Sequence, residues 1–553
     1  MNWKNLTITI IMFLIIAGTL AACGGGSSDE ANGKSASSDK EDGKEKLADK
    51  QELTVNIATE PPALHPQKAT DTTSAAVLDQ IFEGLTRVNQ EGEVKNAMAS
   101  DIQISDDKKT YTFTIRDDAK WSNGNPVTAK DFEYAWKWML DPKSTDTDFA
   151  YYLYPIKNAE KAKTGEVSLD KVGVTAIDDQ TLVVDLKQPT PYFLQLTAHF
   201  SFYPVNQKVA QANSDWASDA GEKFVTNGPF LLESWKHKDE IVLKKNPDYW
   251  DAETVNLETI NMLMVNDPNT ELSMYESGEL DWAGDPTGTI PLSAIPSLKQ
   301  SDKLNVSPLA GTYYIEFNTK QEPYNNKNIR KALSMAIDRK AIVKSITKGG
   351  QKPAMALVPP VIWEENEQGY FKDNHVKKAK KLLQKGLEEE GLDKLPELIF
   401  SFNTNESHKA IAQALQDMWK EKLGIDVKLE NKEWNVYLDS LSEGNFEMGR
   451  MGWLGSIKDA TNFLDMYETT ESNNYTGWED EEYQSLMEQA RKETDYQARK
   501  ELLRQAEQIL MEDMPIAPIY FYTNVWLNKD YVKNIKVSSL GGVQYKWGYI
   551  AEH

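Results

Sequence analysis

The chain has 553 residues, one cysteine, and 61 basic against 85 acidic side chains, which gives a formal net charge of −24. One cysteine excludes a disulfide framework and any cysteine-rich zinc or iron–sulfur site. The acidic balance argues against nucleic acid as a partner, because phosphate contacts need clustered Lys and Arg. At roughly 150 residues per domain, the length predicts two to four structural units.

The first 23 residues predict an export signal. Lys4 gives a thin positive start, an uncharged and mostly apolar run extends from Leu6 to Leu20, and two alanines precede Cys23. Small residues at this place are typical of a cleavage site, although the run is also nearly long enough for a transmembrane anchor. The segment resembles a lipoprotein signal. This resemblance implies that residues 1–22 are removed and that a lipid on Cys23 anchors the chain to the extracytoplasmic face of the cell membrane.

Residues 23–51 predict a flexible, lipidated linker. The stretch from Gly24 to Lys50 contains one leucine and no aromatic residue. Such a segment cannot bury enough apolar surface to order itself. We therefore expect the folded body to begin near Glu52.

The body then alternates strands and helices. Leu53–Ile57 and Tyr111–Ile115 show the alternating apolar pattern of half-buried strands. Between Thr128 and Leu140 the apolar residues recur at helical spacing, and Thr128 with Asp131 predicts a capping-box start. The first half of the body therefore contains both kinds of element.

The second half continues in the same way. An apolar stripe over residues 411–418 predicts a helix that stops at Gly424, and Ile425–Leu429 then alternates as a strand. A third stripe over residues 502–510 is broken at Met514-Pro515. No repeat of fixed period is present, so the prediction is a mixed α/β fold with more than one sheet.

No catalytic motif is complete. The chain lacks a P-loop, a dinucleotide-binding Gly-x-Gly-x-x-Gly, a Gly-x-Ser-x-Gly and a His-Glu-x-x-His. Residues 345–348 (Ser-Ile-Thr-Lys) and 163–165 (Lys-Thr-Gly) match motifs of penicillin-interacting enzymes, but in the reverse chain order. Asp141, Asp146 and Asp148 lack the central Gly and closing Glu of a calcium loop. We expect a protein that is not an enzyme and that uses no metal or other cofactor.

Aromatic residues are dense outside the helical stripes. They could be ordinary strand core, or they could form the wall of a large ligand cleft, since tyrosine offers apolar area and a hydroxyl together. Density alone does not decide between these two interpretations. The runs are Tyr151, Tyr152 and Tyr154; Tyr313 and Tyr314; and Tyr520, Phe521 and Tyr522.

Long motifs in chain order are more informative about function than the density of aromatic residues. From about residue 52 to the C-terminus the chain resembles the peptide-binding group of ABC-transporter solute-binding proteins. The oligopeptide-binding lipoproteins of peptide permeases are the members it resembles most. The motifs include FEGLTR (82–87), RDDAKWSNGNPVTAKDFEYAWKWMLDP (116–142), TNGPF (226–230), SGELDWAG (277–284), GRMGWLG (449–455) and MPIAPIYFY (514–522).

The resemblance implies an α/β fold of the periplasmic-binding-protein class II type, a two-lobed clamp with an extra subdomain. Lobe I would take residues 52–72, 207–310 and 522–553. The extra subdomain would take residues 73–206, and lobe II residues 311–521. In this family the lobes close on the ligand by hinge bending, which is a shift of an open–closed equilibrium.

The resemblance also implies a function: a monomeric, lipid-anchored receptor that binds oligopeptides and delivers them to the membrane subunits of an ABC permease. Family peptides lie extended between the lobes and pair through their backbone like an added strand. Arg450 would receive a peptide carboxylate by bidentate pairing, although a structural ion pair is an equal alternative. The positions that match the family cleft are Glu60, Pro62, Tyr152, His199, Tyr275, Thr312, Tyr313, Arg450 and Trp453.

One departure from the family pattern concerns the ligand amine. After Gly452-Trp453 the family usually has an aspartate that pairs with the peptide α-ammonium, and here Ser456 stands in its place. Asp459 matches a second family aspartate. Three outcomes stay open: Asp459 or another acid replaces the lost partner, the ligand is N-blocked, or the protein binds peptides weakly. The alternative function is therefore a specialised receptor for an N-blocked, modified or non-peptide ligand, such as a cell-wall fragment or signalling molecule.

Overall fold

The computed structural model describes residues 46–145, 147–468 and 473–553. The predicted signal peptide, Cys23 and the first part of the predicted linker lie outside the described residues. None of the helices in the described ranges is long and apolar enough to cross a membrane.

The strands vary from two to thirteen residues in length. In chain order they are β1 (Glu52–Asn56), β2 (Thr86–Val88), β3 (Val94–Asn96), β4 (Ala99–Ile104), β5 (Thr110–Ile115), β6 (Val174–Ala176), β7 (Thr181–Asp185), β8 (Phe230–Lys236), β9 (Glu240–Lys245), β10 (Thr259–Leu263), β11 (Trp282–Gly284), β12 (Asn305–Phe317), β13 (Lys352–Pro353), β14 (Leu398–Asn403), β15 (Val427–Lys432), β16 (Met448–Leu454), β17 (Ile516–Asn528), β18 (Val532–Lys533) and β19 (Tyr549–Ile550).

The α-helices alternate with these strands. They are α1 (Thr72–Ile81), α2 (Ala129–Leu140), α3 (Ala159–Lys163), α4 (Phe193–Leu196), α5 (Gln207–Ala212), α6 (Pro268–Ser277), α7 (Ile295–Gln300), α8 (Lys327–Ala336), α9 (Arg339–Ile342), α10 (Val376–Glu390), α11 (Glu406–Leu423), α12 (Trp434–Ser442), α13 (Thr461–Leu464), α14 (Glu481–Lys492) and α15 (Tyr496–Asp513). Short 3₁₀ segments lie at Asp148–Leu153, Leu169–Lys171, Phe200–Phe202, Ala252–Thr254, Glu364–Glu367 and Asp465–Tyr467, and a π-helical turn at Val343–Thr347.

The predicted elements are present, with small shifts at their ends. The Asp131 carboxylate accepts the Thr128 N–H at 2.9 Å, so α2 begins where the capping signal placed it. After α11, Gly424 adopts a φ of 72° and the Ile425 N–H still donates to the Trp419 carbonyl. This closing turn occupies Ile425, and β15 therefore begins at Val427, two residues later than predicted.

The main sheet follows the order β15-β14-β16-β12-β17-β11-β1-β10-β9-β8, with β13 also paired to β17. The antiparallel β12 and β17 lie at its centre and are thirteen residues long each. Their register shifts between Pro308 and Thr312. A separate four-stranded antiparallel sheet has the order β4-β5-β7-β6. The prediction of a mixed α/β fold with more than one sheet is confirmed.

The two ends of β17 lie in different hydrophobic cores. Ala517 and Ile519 lie with Tyr313 of β12 in a core that includes α8 and α11. Val525 and Leu527 lie in a small separate core beside α6 and α7. A third core is built from β1, α1, α2 and the strands up to β10. Residues Lys46–His553 form one compact unit, and the lobe boundaries given above stay a prediction.

The chain joins the folded body earlier than the linker prediction placed it. Leu47 forms a β-bridge with Ala551. Gln51 is buried, and its side-chain amide donates to the Ile550 carbonyl at 2.8 Å. Among the described residues, folded contacts are therefore already present at Lys46 and Leu47, ahead of Glu52, because the C-terminal segment supplies partners that the local sequence does not reveal.

Glu316 is an acid inside the sheet. On β12 it faces Gly449 of β16 and Ile516 of β17, and it is 1% exposed. Neither carboxylate oxygen has a hydrogen-bond partner among the described residues. Burial raises the pKa of Glu316 to about 8, so the group is protonated at neutral pH.

We expect Glu316→Gln to remove a pH dependence of stability. The unfolded Glu pKa is about 4.3, below the folded value. The wild type therefore loses unfolding free energy as the pH rises from about 4.3 to about 8, by at most about 1.4 kcal/mol per pH unit. Urea denaturation at pH 4.5 and 7.5 measures this loss. The exposed Glu253→Gln is the matched control, and an unchanged pH slope in Glu316→Gln would contradict the assignment.

Candidate ligand-binding site

One edge of β16 is open over half its length. β14 pairs with β16 only at Met448 and Gly449, whereas β12 pairs along the whole opposite edge. The Arg450 carbonyl points toward the open edge, where it accepts a bond from the Tyr437 hydroxyl at 2.6 Å. By the alternation of a strand, Gly452 and Leu454 direct their N–H and C=O groups to the same edge. An extended chain could pair with them there.

The Arg450 side chain lies among aromatic and amide groups beside this edge. Its guanidinium donates to Asn403 Oδ1 and to the Tyr522 hydroxyl, both at 3.2 Å, and lies 4.7 Å from the Tyr313 ring centroid. Nε has no partner, and Arg450 forms no ion pair with any described residue. A largely dehydrated cation without an acid is costly, so this position favours an anion.

The imidazole near Arg450 cannot be the missing partner. His408 lies 3.5 Å from the Tyr313 hydroxyl. Burial, reinforced by the charge of Arg450, lowers the pKa of His408 to about 3. The ring is therefore neutral, and the group of tyrosines, Asn403 and His408 supplies no formal charge to balance Arg450.

A cavity of about 620 Å³ opens beyond the end of β16. Leu454, Ser456 and His199 are among its lining residues. The Ser456 side chain shares a hydrogen bond with the Tyr152 hydroxyl, and the Tyr152 ring contacts the His199 ring at a centroid distance of 5.0 Å. Burial lowers the pKa of His199 to about 3. The structure thus brings together three predicted site residues, Tyr152, His199 and Ser456, all of them uncharged.

Asp459 is engaged elsewhere. Its two carboxylate oxygens accept bonds from both terminal nitrogens of Arg499, at 2.8 and 2.9 Å. Burial alone would raise the pKa of Asp459, but the bonds and charge of Arg499 lower it below the ordinary value. Asp459 could reach a ligand amine only by breaking this partly buried pair, which would leave Arg499 uncompensated.

The remaining predicted site residues lie in three different places, since Thr312 of β12 and Trp453 of β16 are cross-strand partners. Thr312 is buried and donates to the Leu357 carbonyl at 2.7 Å. Trp453 is half-buried on β16, and its indole N–H has no partner among the described residues. Tyr275 packs on α6 beneath the Lys529 ammonium, 4.5 Å from the ring centroid. Glu60 accepts bonds from the His237 ring and the Lys238 N–H, and Pro62 is exposed. The structure does not bring these last three residues to the β16 edge.

Two of the motifs set aside above meet in one structural contact. The Lys163 ammonium donates to the carbonyls of Met139 and Ser144 and to the Thr147 hydroxyl, at 3.1, 3.0 and 2.6 Å. Lys163 comes from the Lys-Thr-Gly motif, and its partners lie at the end of α2 and in the following loop, which contains Asp141. The Lys163 ammonium therefore occupies the position among these oxygens and supplies the positive charge there. Asp146 lies outside the described residues.

Comparison with known proteins identifies the family of this chain. The family described as bacterial extracellular solute-binding proteins, family 5 Middle, matches residues 93–475. The chain is 49% identical to the oligopeptide-binding protein OppA of Bacillus subtilis (strain 168) over 99% of both chains. It is 42% identical to the dipeptide-binding protein DppE of the same organism over 90% of this chain and 91% of the relative.

This chain belongs to the family 5 bacterial extracellular solute-binding proteins. The crystal structure of Haemophilus influenzae OppA in complex with RPPGFSPFR superposes with a TM-score of 0.77 at 33% identity, covering 92% of this chain and 100% of that one. The resemblance inferred from the motifs and the predicted α/β binding-protein fold are therefore confirmed. The relatives named here are described as binding proteins.

Sequence reasoning did not single out several residues of this solute-binding protein's site. Asn403 at the end of β14, Asn462 beside Ser456, and Arg499 carry no local signal, because their roles come from contacts between distant segments. Tyr522 could have been found, because it is the last residue of the aromatic run 520–522, to which the sequence assigned no role in the site. The contact of Tyr522 with Arg450 joins residues 72 positions apart.

We expect Asp459→Asn to destabilise this solute-binding protein without changing its preference for a free ligand amine. The change leaves Arg499 without its counter-charge, which should cost about 3–5 kcal/mol of unfolding free energy. Urea denaturation measures the first effect. Calorimetry with free and N-acetylated versions of one peptide measures the second, and Arg499→Met is the partner control. A selective loss of affinity for the free peptide would instead make Asp459 the amine ligand.

Proposed function

We propose that this chain is an extracytoplasmic receptor that binds oligopeptides and delivers them to an ABC transporter. Its relatives are named for oligopeptide and dipeptide binding, and one solved relative holds a nine-residue peptide. The observation that carries the proposal is Arg450, a cation without an acid partner at the open edge of β16. A peptide supplies both a backbone for the edge and a carboxylate for the cation.

The distances along β16 suit a short peptide. Arg450 and Ser456 are six residues apart, which spans at most roughly 20 Å at 3.3 Å per extended residue. A peptide of about the same number of residues would extend from the guanidinium to the cavity at Ser456. Tyr152, His199 and Trp453 would lie beside it, and the buried Thr312 and Tyr313 would support the site from within the sheet. Glu60, Pro62 and Tyr275 would act only if the ligand extended further.

A lipid on Cys23 would anchor the receptor, and a hinge movement of its two lobes would enclose the peptide. Cleavage before Cys23 and lipidation of its thiol would hold a monomeric body at the extracytoplasmic face of the cell membrane, since multi-chain lipid anchors bind bilayers stably. The two lobes would close by bending where the register of β12 and β17 shifts. The membrane subunits of the transporter would then receive the peptide from the open form.

Arg450→Met should remove selectivity for a peptide carboxylate. We expect the wild type to bind short peptides with a free C-terminus about 2–5 kcal/mol more tightly than their C-terminal amides, because truncating one member of a dehydrated charge pair costs this much. Arg450→Met should bind both forms equally. Calorimetry with tri- to hexapeptides and their amides measures the coupling. A free-acid preference that persists in Arg450→Met at every length would place the carboxylate elsewhere.

Ser456→Asp should favour ligands with a free amine. A carboxylate beside Tyr152 and Asn462 would add a counter-charge that Ser456 cannot supply. We therefore expect tighter binding of free peptides over N-acetylated ones by about 2–5 kcal/mol at best. Ser456→Asn is the neutral control. A receptor for N-blocked ligands would show the opposite order in the wild type, and no change in Ser456→Asp would mean that the amine lies elsewhere.

A further inference from the structure

Three aspartates line the same cavity as Ser456. Asp71 and Asp79 lie at the start and near the end of α1, and Asp285 follows β11. All three side chains are partly exposed, although protein surrounds the cavity on several sides. The inference that follows rests on the proposed function, because it concerns the ligand that would enter this cavity.

The carboxylates have hydrogen-bond donors but no cation. Asp79 accepts from the Tyr203 hydroxyl at 2.9 Å, and Asp285 accepts from the Val525 N–H at 2.6 Å. Asp71 caps α1 through the Ser74 N–H, and its second oxygen has no partner. None of the three forms an ion pair with a described residue.

The nearby charges do not supply the missing partner. Lys536 lines the cavity, but its ammonium lies 3.5 Å from Glu91. Lys458 also lines the cavity, but its exposed side chain forms no ion pair with a described residue. Arg87 acts on Asp79 from a distance, yet its own ion pair is with Glu83 at 2.5 Å.

Burial favours the protonated form of two of these three acids, Asp79 and Asp285. Burial raises the pKa of Asp79 to about 6, against the opposing effects of Tyr203 and Arg87. Burial, together with the charge of Glu271, raises the pKa of Asp285 to about 7. A cation placed in the cavity would be attracted to both carboxylates and would restore their ionised forms.

We propose that this cavity is a subsite for a cationic group of the ligand, an ammonium or a guanidinium, with Asp79 and Asp285 as its counter-charges. The adjoining Ser456 is uncharged, so the acids on α1 and after β11 carry the electrostatic selection at this end of the site. The same chemistry can come from the α-ammonium of a peptide or from a Lys or Arg side chain.

Pentaalanine derivatives distinguish the two sources. One of positions 1, 2 or 3 is changed to Lys or to norleucine, which has a similar shape without the charge, and each peptide is made with a free and an acetylated N-terminus. Calorimetry at pH 8 gives the affinities. We expect a tenfold or larger preference for Lys at one position if the side chain enters, or for the free amine if the α-ammonium enters.

Asp79→Asn and Asp285→Asn test the assignment to this cavity. Each asparagine can still accept the bond from Tyr203 or Val525, so the wall is kept while the charge is removed. Asp106→Asn, an exposed change that does not line the cavity, is the matched control, and thermal unfolding checks each fold. The preference should fall at least fivefold in each cavity variant. It should also fall in the wild type at pH 5.5, where both acids are mostly protonated.

The outcomes separate this inference from the proposed function. Peptide binding that is indifferent to Lys, norleucine and acetylation would overturn the cationic subsite and leave the receptor function intact. A charge preference that survives in both aspartate variants would also overturn it. Failure of every peptide to bind, at concentrations up to millimolar, would reject the receptor function and the subsite together.

Discussion

The antiparallel pairing of β12 with β17 is the constraint on which the rest of the structure depends. These strands form the middle of the main sheet, and the two ends of β17 lie in different hydrophobic cores. Their pairing stacks Tyr313 on Tyr520 at 4.8 Å and brings Tyr522 to Arg450. β16 then pairs with the outer edge of β12, which leaves its own far edge open. A change of register in β12 would therefore move the tyrosines, the guanidinium and the open edge together.

Much of the local structure could be predicted from the sequence, because its causes are local. Asp131 three residues after Thr128 starts α2, and Gly424 ends α11, since each signal acts within a single helical turn. The family motif around Arg450 and Trp453 led to a prediction of binding residues there, which stays a prediction. The long-range contacts could not be predicted: Gln51 donates to the Ile550 carbonyl, and the Val525 N–H donates to Asp285, in each case across hundreds of residues. No periodicity or spacing encodes such pairs, and the burial of Glu316 follows only from the pairing of β12 with strands on both sides.

Charge is distributed in the site in a way that the composition does not suggest. A chain with a net charge of −24 places an uncompensated guanidinium at one end of β16. Beyond the other end it places aspartates without cations. The histidines between them are neutral, because burial holds their pKa values far below neutrality. The interior of the candidate site thus separates one positive from one negative region. Such an arrangement suits a zwitterionic ligand, whose two charges are of opposite sign and lie apart.

The segment after β16 has a second role besides lining the cavity. Ile457 is buried in the core formed by β1, α1 and α2, and the Lys458 N–H donates to the Gln195 side chain at 2.8 Å. Two residues later, Asp459 holds Arg499 within 6.0 Å of the Tyr192 ring. One short stretch therefore joins residues of the predicted lobe II to residues of the predicted extra subdomain. Because Ser456 adjoins these contacts, the residue at this position would, under the proposed function, act both on the ligand end and on closure. An acid there would have to be balanced by a ligand cation before the surrounding contacts could close, whereas the neutral Ser456 leaves closure possible without one. The proposed cationic subsite would thereby place the charge requirement on the cavity wall formed by α1 and Asp285 rather than on the segment after β16.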